Sequence, residues 1–263
     1  MALDVRLLPP APPGVYYPET DGRPMAETDA HARAIIDART ALENFFAGEA
    51  DVYVSGNLLV YYQEGDPRQA VAPDVFVVRG VAKAPRRIYK LWDEQQPPHF
   101  VLEITWRSTR AEDLGAKFGL YQLLGVREYF LFDPLGEYLD PPLQGYRLVA
   151  GRSERLARVD QEGTLASTVL GLELRLRDGT LRFYDPTTGQ WLLTPSEAER
   201  ARRAAQSSAA AEAAARQRAE AHAAAEAAAR QRAEAELARA QEELARLREA
   251  LAQGGSPGAQ PGP

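Results

Sequence analysis

Asp74 follows Pro73 at the head of an apolar run, Glu103 lies inside the run Phe100-Val101-Leu102-Glu103-Ile104-Thr105, and Lys117 follows in a helical pattern. An unpaired ionised carboxylate in a dry interior is very costly, so acids embedded in strand-like apolar sequence call for a counter-charge. Two adjacent strands presenting Asp74 and Glu103 on one face can hold Mg2+ or Mn2+, ions that take oxygen ligands and keep several waters. Such an ion lowers the pKa of a bound water and stabilises charge developing on a phosphoryl oxygen. Lys117 could orient the water or neutralise a scissile phosphate. Asp113 and Tyr121 stand four residues to either side of Lys117, so the three share a helical face. Asp113 either holds Lys117 in place or pairs with it as a surface ion pair. Each residue alone has a plainer reading: an Asp after Pro is commonly a turn residue, and a helical Lys is commonly solvated. The combination in this order is what points to a site.

These residues need elements to position them. Residues 1–24, rich in Pro, Gly and Tyr, read as an extended arm. Residues 25–47 read as a helix capped by Thr28 or Asp29, with Ala34, Ile35, Ala38, Leu42, Phe45 and Phe46 at helical spacing. Strand patterns follow at 51–54, 57–62, 71–78, 100–105 and 126–132, with Pro73 suited to a strand start. Residues 79–98 form a basic, Pro-flanked excursion, and His99 reads as a loop residue. Ser108 or Thr109 can cap a helix running to about Leu124 and ending at Gly125. Strands at 145–149, 172–176 and 181–186 read as a β-rich, mostly antiparallel appendage. This order predicts an α/β (α+β) mixed-sheet domain over residues 25–193.

From residue 196 the composition changes. AAAEAAARQRAEA occurs at 209–221 and again at 223–235, two heptads apart, and Leu237, Leu244, Leu247 and Leu251 continue the seam. Residues 194–253 therefore read as a helical coiled-coil segment that self-associates as a dimer, and 254–263 as a disordered tail. The net charge is −6, and its acidic excess lies in residues 1–193, with 21 Lys+Arg against 27 Asp+Glu. That argues against tight nonspecific DNA binding, although a metal-dependent site is acidic until its metal binds. The chain has no cysteine, which excludes disulfides, thiolate metal sites and a cysteine nucleophile. With no signal-peptide pattern and no apolar run of membrane-spanning length, the expectation is a cytoplasmic protein without a membrane partner. P-loop, Gly-x-Ser-x-Gly and His-Glu-x-x-His signatures are absent.

The strings PDVFVV, FVLEIT and AEDLGAKFGLYQLLGVREYFLFDP, together with TDGRPMAETDAH, LLVYYQEGDP and LQGYRL, resemble the Uma-type endonuclease family over about residues 15–193. That family is placed in the PD-(D/E)XK, restriction-endonuclease-like superfamily. The resemblance implies a mixed sheet flanked by helices and Mg2+-dependent hydrolysis of DNA phosphodiester bonds. Asp74 would match the first acid and Glu103 the second, with the Ile104 main-chain carbonyl as a further ligand. Thr105 stands where the superfamily pattern has lysine, and Trp106 where relatives carry Ser; Lys117 matches a lysine that has migrated to the following helix. A first-helix acid often joins such sites, which makes Glu27 and Asp29 candidates. His31 faces the same cleft or serves as a capping or surface residue. Arg86, Arg87, Lys90, Arg107 and Arg110 are candidate phosphate contacts. The alternative is an inactive nuclease-fold scaffold acting through its coiled coil.

Overall fold

The computed structural model describes residues 14–20, 28–106 and 109–254. Glu27 and Arg107, most of the N-terminal arm and the tail from 255 lie outside the described residues. The chain falls into two compact units, residues 1–198 and 199–263.

The first unit opens with helix α1 (Asp29–Phe45), capped by Thr28, whose hydroxyl accepts the His31 N–H at 3.2 Å. Next come β1 (Val52–Ser55), β2 (Val60–Tyr61), β3 (Ala70–Val71), β4 (Val75–Arg79), β5 (Tyr89–Lys90), the short α2 (Leu91–Glu94) and β6 (Phe100–Ile104). The helix expected up to Leu124 is divided at Gly115 into α3 (Arg110–Leu114) and α4 (Ala116–Leu124). Strands β7 (Glu128–Phe132), β8 (Leu143–Val149), β9 (Arg152–Arg155), β10 (Leu165–Ser167), β11 (Leu172–Arg177), β12 (Thr180–Asp185) and β13 (Gln190–Trp191) complete it.

Six strands form the central sheet in the order β1-β4-β6-β7-β8-β9. Within this sheet, among the described residues, the one parallel pair is β6–β7, because the α3–α4 crossover carries the chain back over the sheet between them. The strand at 145–149 thus belongs to the central sheet rather than to the appendage. The separate antiparallel sheet is β10-β11-β12-β13. The run at 57–62 yields only two strand residues, since Asn57 turns with φ 52°. β2 pairs with β3 and β5 in a small third sheet.

Alternation along β6 sorts the core into two layers. Phe100, Leu102 and Ile104 pack with Ile35 and Leu42 of α1, with Phe46 at its C-cap, and with Leu172, Leu174 and Phe183 of the appendage sheet. Val101 faces the other way, toward Tyr121 and Leu124 of α4, Tyr129 and Leu131. Glu103 shares Val101's parity and so points into the α4 side. Residues 14–20 lie against the small sheet, where the Tyr61 hydroxyl donates to the Pro18 carbonyl and Tyr17 accepts the Gly65 N–H, each at 2.6 Å.

In α5 (Pro195–Gly254), Leu237, Leu244, Leu247 and Leu251 are exposed. No helix among the described residues is long and apolar enough to cross a membrane.

Candidate active site

The strand register brings the two acids together. β4 and β6 pair antiparallel with Val75 opposite Leu102 and Phe76 opposite Val101, so one more step sets Asp74 opposite Glu103. Asp74 is fixed there by the Ile104 N–H, which donates to Asp74 Oδ2 at 2.7 Å. Its backbone is held by a close approach at Gly56, where a Cβ would meet the Asp74 carbonyl oxygen at 2.1 Å. Like charges directly opposite on one face of a sheet are destabilising, so the pair needs a cation.

The crossover supplies one. Lys117 on α4 reaches Glu103 Oε2 at 3.0 Å and Asp113 Oδ1 of α3 at 3.1 Å. Tyr121, one turn further on, donates its hydroxyl to Glu103 Oε1 at 2.6 Å. Glu103 is wholly buried and Asp113 is 1% exposed, so the Asp113–Lys117 pair is an interior one, not a surface pair. From the other side of the sheet, buried His31 donates from Nε2 to the Ile104 carbonyl at 2.6 Å and lies 3.7 Å from Asp74 Oδ2. Helix α1 thus contributes a histidine to the cluster; Asp29 is exposed in its first turn.

The electrostatics follow from burial. Desolvation pushes the Asp74 and Glu103 carboxyls above the ordinary carboxylate range, with Lys117 opposing the rise and Asp113 adding to it. Desolvation works against the Lys117 charge, but Glu103, Asp113 and Asp74 outweigh it and hold the ammonium well above its usual value. Burial and the adjacent Glu103 likewise keep the Tyr121 hydroxyl protonated.

Among the described residues, no group of three His, Asp or Glu side chains is arranged as a ready metal cage. The donor set nevertheless suits a hard cation. Three carboxylates face one ammonium. Among the described residues, Asp113 Oδ2 and the Thr105 hydroxyl are buried without a hydrogen-bond partner, and Asp113 Oδ1 has only its ion pair with Lys117. Asp74, Glu103 and the Ile104 carbonyl, which keeps a second lone pair beside its bond to His31, are the oxygens a divalent ion would use.

Lys117 also lines a cavity of about 580 Å3 with Glu112, Tyr61, Pro18, Thr20 and Arg68. Arg68, on the β2–β3 turn, pairs among the described residues with Asp66 alone and is largely exposed; its one sequence signal is a lone arginine after Asp66-Pro67. Arg86 is occupied by both Glu94 carboxylate oxygens and the carbonyls of Ala82 and Ala84. Arg87 pairs with Glu19, and Lys90 pairs with Asp93 and lies over the Tyr17 ring. Arg110 is exposed at the start of α3.

A family model described as "Uma2: Putative restriction endonuclease" matches residues 5–178. A solved structure described as a putative nuclease belonging to DUF820, from Anabaena variabilis ATCC 29413, is similar at 13% identity and a TM-score of 0.41. The match covers 58% of this chain and 81% of that one. No curated protein matches.

Proposed function

The chain belongs to the Uma2 family, and from that premise we propose that it is a Mg2+- or Mn2+-dependent endonuclease that hydrolyses DNA phosphodiester bonds. The observation that carries this reading is the burial of Asp74, Glu103 and Asp113 around one ammonium, an arrangement with an excess of negative charge. Asp74, Glu103 and the Ile104 carbonyl would hold the ion. The chemistry supplied by such a bound ion would be activation of a water and stabilisation of charge on the phosphoryl oxygen. Lys117 orients the attacking water from the wall of the cleft and offsets the phosphate charge. Tyr121 fixes the Glu103 carboxylate, and His31 fixes the Ile104 carbonyl. Arg68 at the rim contacts the phosphate backbone as it enters. The exposed leucines of α5 pair two copies, so that each protomer supplies one site for one strand.

Plasmid nicking with Mg2+ or Mn2+ tests the reading. Wild type should nick and Asp74→Ala should not, with Mn2+ binding by calorimetry lost in the same variant. A second reading, an inactive scaffold, is favoured by the commitment of both Glu103 oxygens to Tyr121 and Lys117. It wins if wild type neither binds Mn2+ at millimolar concentration nor nicks.

A further inference from the structure

Lys117 and Asp113 do more together than a static ion pair would. We propose that the Lys117 ammonium is the resident counter-ion of the metal-free site, and that Asp113 is the positioning residue that receives it when a divalent cation enters. The inference rests on the metal-dependent reading above.

Glu103 has no idle oxygen: Tyr121 donates to Oε1 at 2.6 Å and Lys117 to Oε2 at 3.0 Å. A metal ligated by Glu103 must share the carboxylate with one of them. The Tyr121 hydroxyl is neutral and can stay, since a carboxylate oxygen accepts more than one partner. The ammonium cannot, because two cations on one carboxylate in a dry site repel strongly. Lys117 therefore competes with the metal for Glu103.

Its destination is already built. Asp113 Oδ1 already lies 3.1 Å from Lys117 Nζ as an ion pair, and Asp113 Oδ2 has no hydrogen-bond partner among the described residues. Oδ2 is a buried acceptor on a residue 1% exposed, a state that costs free energy unless something uses it. The lysine's flexible stem needs only a small rotation to move its protons from Glu103 to Asp113. The Gly115 break sets Asp113 on α3 apart from Lys117 on α4, while the Tyr129 hydroxyl holds the Asp113 carbonyl at 3.0 Å. Asp113 is thus anchored while Lys117 moves. The transfer leaves the ammonium on the wall of the cavity it lines with Arg68.

Mn2+ titration by calorimetry on the full chain tests this without reference to turnover. Lys117→Met removes the competitor and should bind Mn2+ roughly tenfold tighter than wild type or better. Asp113→Asn strands the ammonium on Glu103 and should bind about tenfold weaker. In the Lys117→Met background the Asp113→Asn loss should shrink to under about threefold, because Asp113 acts through the lysine. A full loss persisting there means that Asp113 ligates the metal itself, which overturns its positioning role. Equal affinities in all four proteins, or weaker binding by Lys117→Met, overturn the transfer while leaving the metal-dependent reading intact. Absence of Mn2+ binding in every protein overturns both. Asp113→Asn keeps the side-chain volume, so its arm stands even if Lys117→Met fails to fold.

Discussion

Tyr121 donates its hydroxyl to Glu103 Oε1 at 2.6 Å across a space closed to solvent. Tyr121→Phe keeps the ring and leaves a buried acceptor unsatisfied, a change expected to cost about 1–3 kcal/mol. The hydroxyl also holds the Glu103 pKa down, so its loss should weaken Mn2+ binding at neutral pH. Thermal melts and calorimetry on the variant check both. An unchanged melt would mean that the bond is idle.

Burial raises the Glu103 carboxyl well above the ordinary carboxylate range, so the folded metal-free protein gives up that proton at a higher pH than the unfolded chain does. That contribution to stability is complete below the ordinary carboxylate range and is lost as pH rises through the raised value. His99 works oppositely, but lower down: burial, Arg127 and Arg79 push it to about 4, so its effect ends near 6.5. Between pH 7 and pH 9, melts in chelator should therefore show falling stability. Excess Mn2+ should reverse the trend, since it needs deprotonated carboxylates. A flat profile with metal absent would contradict the buried-acid assignment.

Gly56→Ala should damage the site from outside it. The added methyl would sit 2.1 Å from the Asp74 carbonyl oxygen, so backbone must shift. A cost of about 1–3 kcal/mol is expected, with lost Mn2+ affinity. A variant with wild-type melting and affinity would show that the two segments part freely.

Arg68→Ala should leave folding unchanged, because among the described residues its side chain pairs with the neighbouring Asp66 alone. Its effect should fall on DNA: the slope of log affinity against log salt should decrease by about one. Anisotropy across a salt series reads this directly, and an unaltered slope removes Arg68 from the interface.

Leu244→Glu with Leu251→Glu should abolish the pairing of two copies proposed for α5. Sedimentation should then show a dimer for wild type and a monomer for the variant; identical behaviour would exclude that leucine seam.

Much of the scaffold was legible because its signals are local. The spacing of Ile35, Ala38 and Leu42 marks α1, and the apolar runs around Phe76, Val101 and Phe130 mark three central strands. Glu103 stood out because an acid amid Val101, Leu102 and Ile104 is chemically expensive. Pairing was not legible, since nothing near Tyr146 says that β8 continues the central sheet beside β7. Nor does the α3–α4 pattern reveal its break, because an isolated glycine in a helix is usually tolerated. The basic excursion read as phosphate-binding, yet Arg86 is tied to Glu94 eight residues away, a contact that only the folded β5–α2 corner creates. Glu128 carried no functional signal either, and it proves to be wholly buried, held by Arg147, Ser167 and Thr168.

Apart from His31, every side chain of the cluster lies between residues 74 and 121. Strands β10–β13 lend mostly apolar bulk, Leu165, Leu172, Leu174 and Phe183, to the layer on the far side of the central sheet. Two parts of one domain therefore face different tolerances to change. In the appendage, volume and branching decide what a substitution does; in the 74–121 segment, a single formal charge does. An engineer could retune the thermal behaviour of this molecule through the former while leaving its chemistry alone.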